Sequence, residues 1–352
     1  MNRAVKNILG IFFLTSFQLV SAGNCLAVER PEPLDVAFYF KEDVWRTLPL
    51  HVDYVLEIDS TGQIDWHAKT VKNSFDEIAK IYSRDKFFGK MIPSGKYAFS
   101  STTLGDRMRL KCYDESGSPV FDAAMNGGEF FFHSYLDSGF NVYEKSAPHE
   151  RKFTIIDSVY KIPDDCLVKS DPADGLSFYE ILESAIGNPE SQFAAEYAGD
   201  SYVATFKRAL NSDCSISYEY VFTKKEGMFL PKSFTATYLW KIDGEYKRSD
   251  NPVFSIEFGD YKRIGGLVSF FPEEIKVARY CTDDLSTPEK EKKAPSFRVA
   301  DAYKYAVKNV SYPDNIDDLF KIVLPKGTKV RAKDGGVEKT FIVGDPLLDA
   351  ES

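Results

Sequence analysis

The chain has 352 residues, 43% of them hydrophobic, with 53 acidic against 44 basic side chains and a formal net charge of −9. That length and apolar content suffice for a sizeable core in one large or two medium domains. The acidic balance excludes the clustered positive surface that nucleic acid requires, and it excludes electrostatic adhesion to anionic lipid heads.

Arg3 and Lys6 precede an apolar run from Ile8 to Val20, with small residues after it. This is the pattern of an export signal, and the run is shorter than the roughly 20 residues a membrane span needs. Cleavage after Ala22 or after Ala27 fits the small-residue rule, so residues 1–27 are expected as a signal peptide. The mature chain is then periplasmic or secreted, without an integral membrane segment. Asn24 disfavours lipidation of Cys25. The cut removes Arg3 and Lys6 but no acid, so the mature chain is more acidic still. Cys112, Cys166, Cys214 and Cys281 remain, enough for two disulfides in any of three connectivities, or for four buried thiols. Their wide separation rules out a CxxC zinc or redox pattern.

In chain order, Val28–Leu34, with Pro31 and Pro33, reads as extended, and Val36–Phe40 is a short apolar run. Leu50–Asp59 alternates as a strand. Ser60-Thr61-Gly62 ends it, and Gln63–Val71 is expected to return as a hairpin. Ser74 and Glu77 have capping-box spacing before a helix over Phe75–Tyr82. Strands are expected over Gly95–Thr103, Arg107–Tyr113, Pro119–Ala124 and Glu129–His133, separated by turn residues, with a further extended run at Lys152–Ile162. Ser177 and Glu180 form a second capping box before a helix that Gly187 and Pro189 stop. That helix lies between two strand-rich halves, where it is placed to cover a sheet.

The stretch from Ser215 to Cys281 has the clearest periodicity. Ile216, Tyr218, Tyr220 and Phe222 share one face of an extended chain. Phe234, Ala236, Tyr238 and Trp240 do the same, as do Phe254, Ile256 and Phe258. Ser, Thr, Glu and Lys occupy most intervening positions, which predicts an antiparallel sheet with one covered and one wet face. Thr287–Pro295 is a charged, Pro-bounded linker. Beyond it Thr328–Ala332 and Thr340–Val343 flank Asp334-Gly335-Gly336 as a hairpin.

Catalytic and metal motifs are missing. His51, His67, His133 and His149 contain no i, i+4 pair, and no G-x-S-x-G elbow, G-x-G-x-x-G or P-loop occurs. Asp164-Asp165 reads as a solvated pair, His133 as a structural strand histidine, and the Asn309-Val310-Ser311 sequon as a common chance triplet. The expectation is a protein without enzymatic activity, cofactor or metal.

The segment Val253–Ile275, VFSIEFGDYKRIGGLVSFFPEEI, resembles a stretch of the LolA/LolB-like outer-membrane lipoprotein sorting proteins. In those a strand ending in Tyr is followed by a Gly pair and an apolar-Pro segment, here Tyr261, Gly265-Gly266 and Phe271-Pro272. The tail FKIVLPKGTKVRAKDGGVEKTFIVGD is similar to the tails of secreted LolA-like proteins from planctomycete-type bacteria. The resemblance covers residues 40–280 and implies a mainly β (α+β) fold, an antiparallel, strongly curved half-barrel sheet covered by a few helices. Residues 28–284 would form that domain, and residues 285–352 a linker and a C-terminal extension with a β-hairpin. It also implies a lipid acyl chain or lipoprotein as partner, held without catalysis in an apolar cavity. Tyr218, Tyr220, Phe234, Tyr238, Trp240 and Phe254 are the expected lining, the other reading of the same face being a filled core. The alternative on the same fold is a non-enzymatic envelope sensor or protein-interaction module.

Overall fold

The computed structural model describes residues 31–41, 44–45, 47, 49–59, 95–105, 107–126, 129–135, 141–145, 163, 165–168, 177–264, 270–282, 294, 296–314, 319–320, 322, 324, 326–334 and 337–344. The signal segment, the return strand at Gln63–Val71, the helix at Phe75–Tyr82, the run at Lys152–Ile162 and most of the linker lie outside these residues.

In chain order the described elements are α1 (Pro33–Val36) with a 3-10 turn (Ala37–Phe40), β1 (Leu50–Asp59), β2 (Gly95–Leu104), β3 (Arg107–Tyr113), β4 (Pro119–Asn126), β5 (Glu129–Ser134) and β6 (Asn141–Lys145). Two helices follow, α2 (Asp165–Val168) and α3 (Phe178–Ile186), then β7 (Ala194–Ala198), β8 (Ser201–Ala209), β9 (Cys214–Lys225), β10 (Met228–Ile242), β11 (Glu245–Arg248) and β12 (Phe254–Phe258). The chain continues through β13 (Tyr261–Arg263), β14 (Phe270–Pro272), β15 (Glu274–Thr282), β16 (Phe297–Ser311), β17 (Lys329–Asp334) and β18 (Val337–Ile342).

Among the described residues the protein is mainly β. Sixteen strands form one sheet in the order β18-β17-β6-β5-β4-β3-β2-β1-β16-β15-β12-β10-β9-β8-β7, with β11 on β10. Neighbours pair antiparallel except β17 and β6, which run parallel. The order ends at β18 and β7, so the sheet is not a closed barrel. β13 and β14 form a separate ribbon.

Local sequence accounts for much of this. β1 alternates buried and less buried positions along its whole length, as a half-covered antiparallel strand must. The β9–β10 and β10–β11 hairpins turn on Glu226-Gly227 (φ 48° and 86°) and Asp243-Gly244 (φ 53° and 89°). Positive φ at both central positions is what a two-residue turn matched to the strand twist requires. Ser177 caps α3 through a complete box: Glu180 N donates to Ser177 Oγ (3.1 Å), and Ser177 N donates to the Glu180 carboxylate (2.7 Å).

Pairing that spans the sequence sets the rest. β16, which follows the charged linker, lies between β1 and β15. The region after residue 285 therefore supplies an interior strand as well as the β17–β18 hairpin, which joins the sheet at β6. Val36–Phe40 is helical and 3-10, and Phe40 packs its ring 4.9 Å from Phe178 and 5.6 Å from Phe222. The ribbon is fastened to this N-terminal segment: the Phe270 N–H donates to Tyr39 Oη (3.2 Å), and Trp45 stands edge-on to Phe271 at 5.5 Å.

The cysteines do not follow the disulfide expectation. No disulfide joins Cys112, Cys166, Cys214 or Cys281. Cys112 sits opposite Phe99 and Phe121, Cys214 opposite Trp240, and Cys281 opposite Arg298. Cys166 lies in α2 against Tyr305. The strand register thus puts no cysteine across from another, and a disulfide needs Cα atoms within about 7 Å. Burial pushes the Cys112 and Cys214 thiols up, away from the reactive thiolate.

Candidate ligand-binding face

Strand pairing places the aromatic positions in rows across the sheet. One row runs Ala204, Tyr220, Phe234, Ile256, Val277 and Tyr303. The next runs Phe206, Tyr218, Ala236, Phe254, Arg279 and Asp301. Beyond it come Arg208, Ile216 and Tyr238, then Cys214, Trp240 and Lys247. Directly opposed residues point to the same side of a sheet, so Tyr218, Tyr220, Phe234, Tyr238, Trp240 and Phe254 share one face.

The covering of that face is uneven. Tyr218, Tyr220, Phe234 and Phe254 are 4%, 0%, 1% and 2% exposed. α3 lies over the Tyr220–Phe234 row: the Phe178 ring is 4.7 Å from Phe234, and the Tyr220 hydroxyl donates to the Phe178 carbonyl at 3.1 Å. Phe234 is also 4.7 Å from Tyr220 and 5.9 Å from Phe254. This part is filled core. Two rows further on, Tyr238 and Trp240 are only partly buried and touch ring to ring at 5.8 Å, and Tyr238 also meets Phe297 at 5.7 Å. The Trp240 indole N–H is shielded from water and has no hydrogen-bond partner, an arrangement that costs about 1–3 kcal/mol.

Burial shifts titratable groups on the aromatic face. Burial pushes the Tyr220 hydroxyl well above its ordinary range, with the neighbouring Tyr218 adding to the effect. At the far end of its row burial drives the Asp301 carboxyl up to about 6 against the opposing pull of Arg279, whose guanidinium lies over the Tyr303 ring.

The opposite face carries the polar constellations. His51 Nδ1 is 2.9 Å from Thr102 Oγ1, and its Nε2 is 3.2 Å from Asp53. The sequence holds His51 and Asp53 two apart on a strand, but not Thr102, which arrives through the β1–β2 register. Arg109 binds Asp122 through Nε (3.0 Å) and Nη2 (2.7 Å) and the Leu319 carbonyl through Nη1 (3.2 Å). His133 stands edge-on to Tyr135 at 4.4 Å.

A groove of about 460 Å³ crosses β1, β16, β15 and β12 on this face, over Ser255, Ala278 and Ala302, between Glu57, Asp59, Glu257, Lys276 and Lys304. Glu274 holds both lysines, at 2.9 and 3.0 Å. A second cavity of about 650 Å³ adjoins Lys225, Lys232, Asp260 and Glu273. None of the six aromatic residues lines either one. No group of three or more His, Cys, Asp or Glu among the described residues is placed to hold a metal. No helix among them is long and apolar enough to cross a membrane. Compared with protein-family models the chain matches none, and no curated protein matches it.

Proposed function

We propose that this chain is an exported, non-catalytic cell-envelope protein with a LolA-like, curved half-barrel sheet that binds an acyl chain of a lipid or lipoprotein. The observation that carries the reading is the partly exposed end of the aromatic face. The stripe continues from the filled core beneath α3 to the partly exposed Tyr238 and Trp240. An apolar chain laid along these rings leaves water at about 0.8 kcal/mol per buried CH₂. Ligand sites are typically apolar with a few polar anchors. In this reading Tyr218, Tyr220, Phe234 and Phe254 are the rigid base, while Tyr238 and Trp240 make the contact.

The test is uptake of a fluorescent fatty acid by the mature protein, together with mass spectrometry of lipid that co-purifies with it. Tyr238→Leu should leave the unfolding midpoint nearly unchanged and weaken uptake. A protein that arrives lipid-free and takes up no dye removes the carrier reading. The second reading, an interaction module on the same fold, draws on the exposed Leu210, Tyr246 and Val299, which are 47%, 48% and 44% accessible.

A further inference from the structure

The groove over β12, β15, β16 and β1 is shaped by two neighbouring cross-strand rows. Its floor is Ser255, Ala278 and Ala302, each opposite the next, and their short side chains leave the space above them open. The next row stands beside the floor as a wall: Glu257, Lys276, Lys304 and Glu57, again each opposite the next. Tyr280 lines the other side, two residues beyond Ala278 on β15 and so on the same side of the sheet. The wall residues are exposed and Tyr280 is partly so. Among the described residues the side chains of Glu57, Ser255, Glu257 and Tyr280 make no hydrogen bond, and the Tyr280 ring has no ring partner. Glu274 accepts one hydrogen bond from each lysine, at 2.9 and 3.0 Å, and each ammonium keeps further donors for a ligand. Asp59, which ends the floor row on β1, has a partner of its own.

Two properties of this lining narrow what it holds. The charges are mixed and nearly balanced: Glu57, Asp59, Glu257 and Glu274 stand against Lys276, Lys304 and Lys96, the last opposite Glu57 on β2, while Glu219 lies two strands beyond Ser255 in the floor row. The slight acidic surplus disfavours an anionic ligand. Every strand of the floor is also paired on both sides. Its backbone groups are spent within the sheet, so a peptide cannot dock there by adding a strand. The ligand has to bring hydrogen-bonding groups of both kinds on an uncharged frame. We propose that the groove binds a neutral oligosaccharide, with one sugar ring against Tyr280 and hydroxyls along the wall from Glu57 to Glu257. A hydroxyl both donates and accepts, which suits a wall where carboxylates only accept and ammonium groups only donate. The C–H face of a sugar ring packs on the Tyr280 ring while the phenol hydroxyl stays in contact with water. The volume of about 460 Å³ is within the range of about 300–1,000 Å³ usual for small-ligand sites. This site is independent of the acyl-binding reading, because none of the six aromatic residues lines it.

The experiment titrates the full mature chain with cellotetraose, maltotetraose and chitotetraose, using calorimetry and saturation-transfer NMR. Tetragalacturonate is the acidic counterpart and tetraalanine the peptide. At least one neutral tetrasaccharide should bind. Tyr280→Ala should weaken that binding about tenfold. Ala278→Tyr, which fills the floor from a partly exposed position, should abolish it. Both variants should keep the unfolding midpoint of the wild type. Thr205→Tyr lies in the floor row but on β8, outside the groove, and Tyr238→Leu lies on the opposite face. Both should bind the sugar as the wild type does. Neither heat nor saturation transfer with any neutral sugar overturns the proposal, and so does binding that survives Ala278→Tyr or is lost in Thr205→Tyr. Tighter binding of tetragalacturonate overturns the neutral sugar in favour of an anionic one, and tighter binding of tetraalanine overturns it in favour of a peptide.

Discussion

Phe234→Ala measures how firmly α3 covers the aromatic face. The Phe234 ring is 1% exposed and lies 4.7 Å from Phe178, 4.7 Å from Tyr220, and 5.9 Å from both Tyr218 and Phe254. Truncating a buried Phe costs about 3–5 kcal/mol, more where the surroundings cannot collapse into the space. Collapse is restricted here, because lowering α3 onto the sheet would disturb the hydrogen bond from Tyr220 to the Phe178 carbonyl. The expected loss is therefore about 4–5 kcal/mol. A domain with about 5–15 kcal/mol of stability survives that loss. Trp240→Ala is the control. Its ring is larger but only partly buried, so the expected loss is about 1–2 kcal/mol. Urea unfolding followed by far-UV circular dichroism reads both as a midpoint shift at unchanged slope. Equal costs, or a loss below about 1 kcal/mol for Phe234→Ala, would refute the picture of a filled core that opens toward Trp240.

Asp301 gives a pH test. Burial raises its carboxyl from 3.8 to about 6, so its contribution to stability is full below pH 3.8 and is lost as the pH rises through 6. Asp301→Asn should match the wild type at pH 4 and exceed it by about 2–3 kcal/mol at pH 7. A difference that does not change with pH rejects the assignment. Asp122→Ala leaves the Arg109 guanidinium, only 17% exposed, without its carboxylate. It should cost about 3–5 kcal/mol, most of which the double replacement Arg109→Met with Asp122→Leu recovers; no recovery in chemical denaturation would contradict this. Ser177→Ala removes the cap of α3 and should lower the unfolding free energy by about 1 kcal/mol, with no shift in the urea midpoint as the contrary result.

Legibility divides along local and non-local lines. The strand at Leu50–Asp59 and the capping box of Ser177 and Glu180 could both be read from a few neighbouring residues, whereas the tight hairpins at Glu226-Gly227 and Asp243-Gly244 were not singled out. The strand is specified by side-chain alternation and the cap by a hydrogen bond three residues long, while the hairpins turn on positive φ. The common face of Tyr218 and Tyr220, and that of Phe234, Tyr238 and Trp240, follow from period-two alternation within β9 and β10. That Phe254 joins them depends on how β10 pairs with β12.

Tertiary structure alone decided where β16 goes, since a strand inserted between β1 and β15 is chosen by partners far away in sequence. The same pairing separated the cysteines, and the β1–β2 register brought Thr102 to His51. It also divided the six aromatic residues into four core positions and two that are partly exposed. Alternation states which side of a sheet a residue faces. What lies over that side depends on the reach of α3 and of the N-terminal turn at Ala37–Phe40, and burial belongs to two surfaces in contact rather than to either sequence alone.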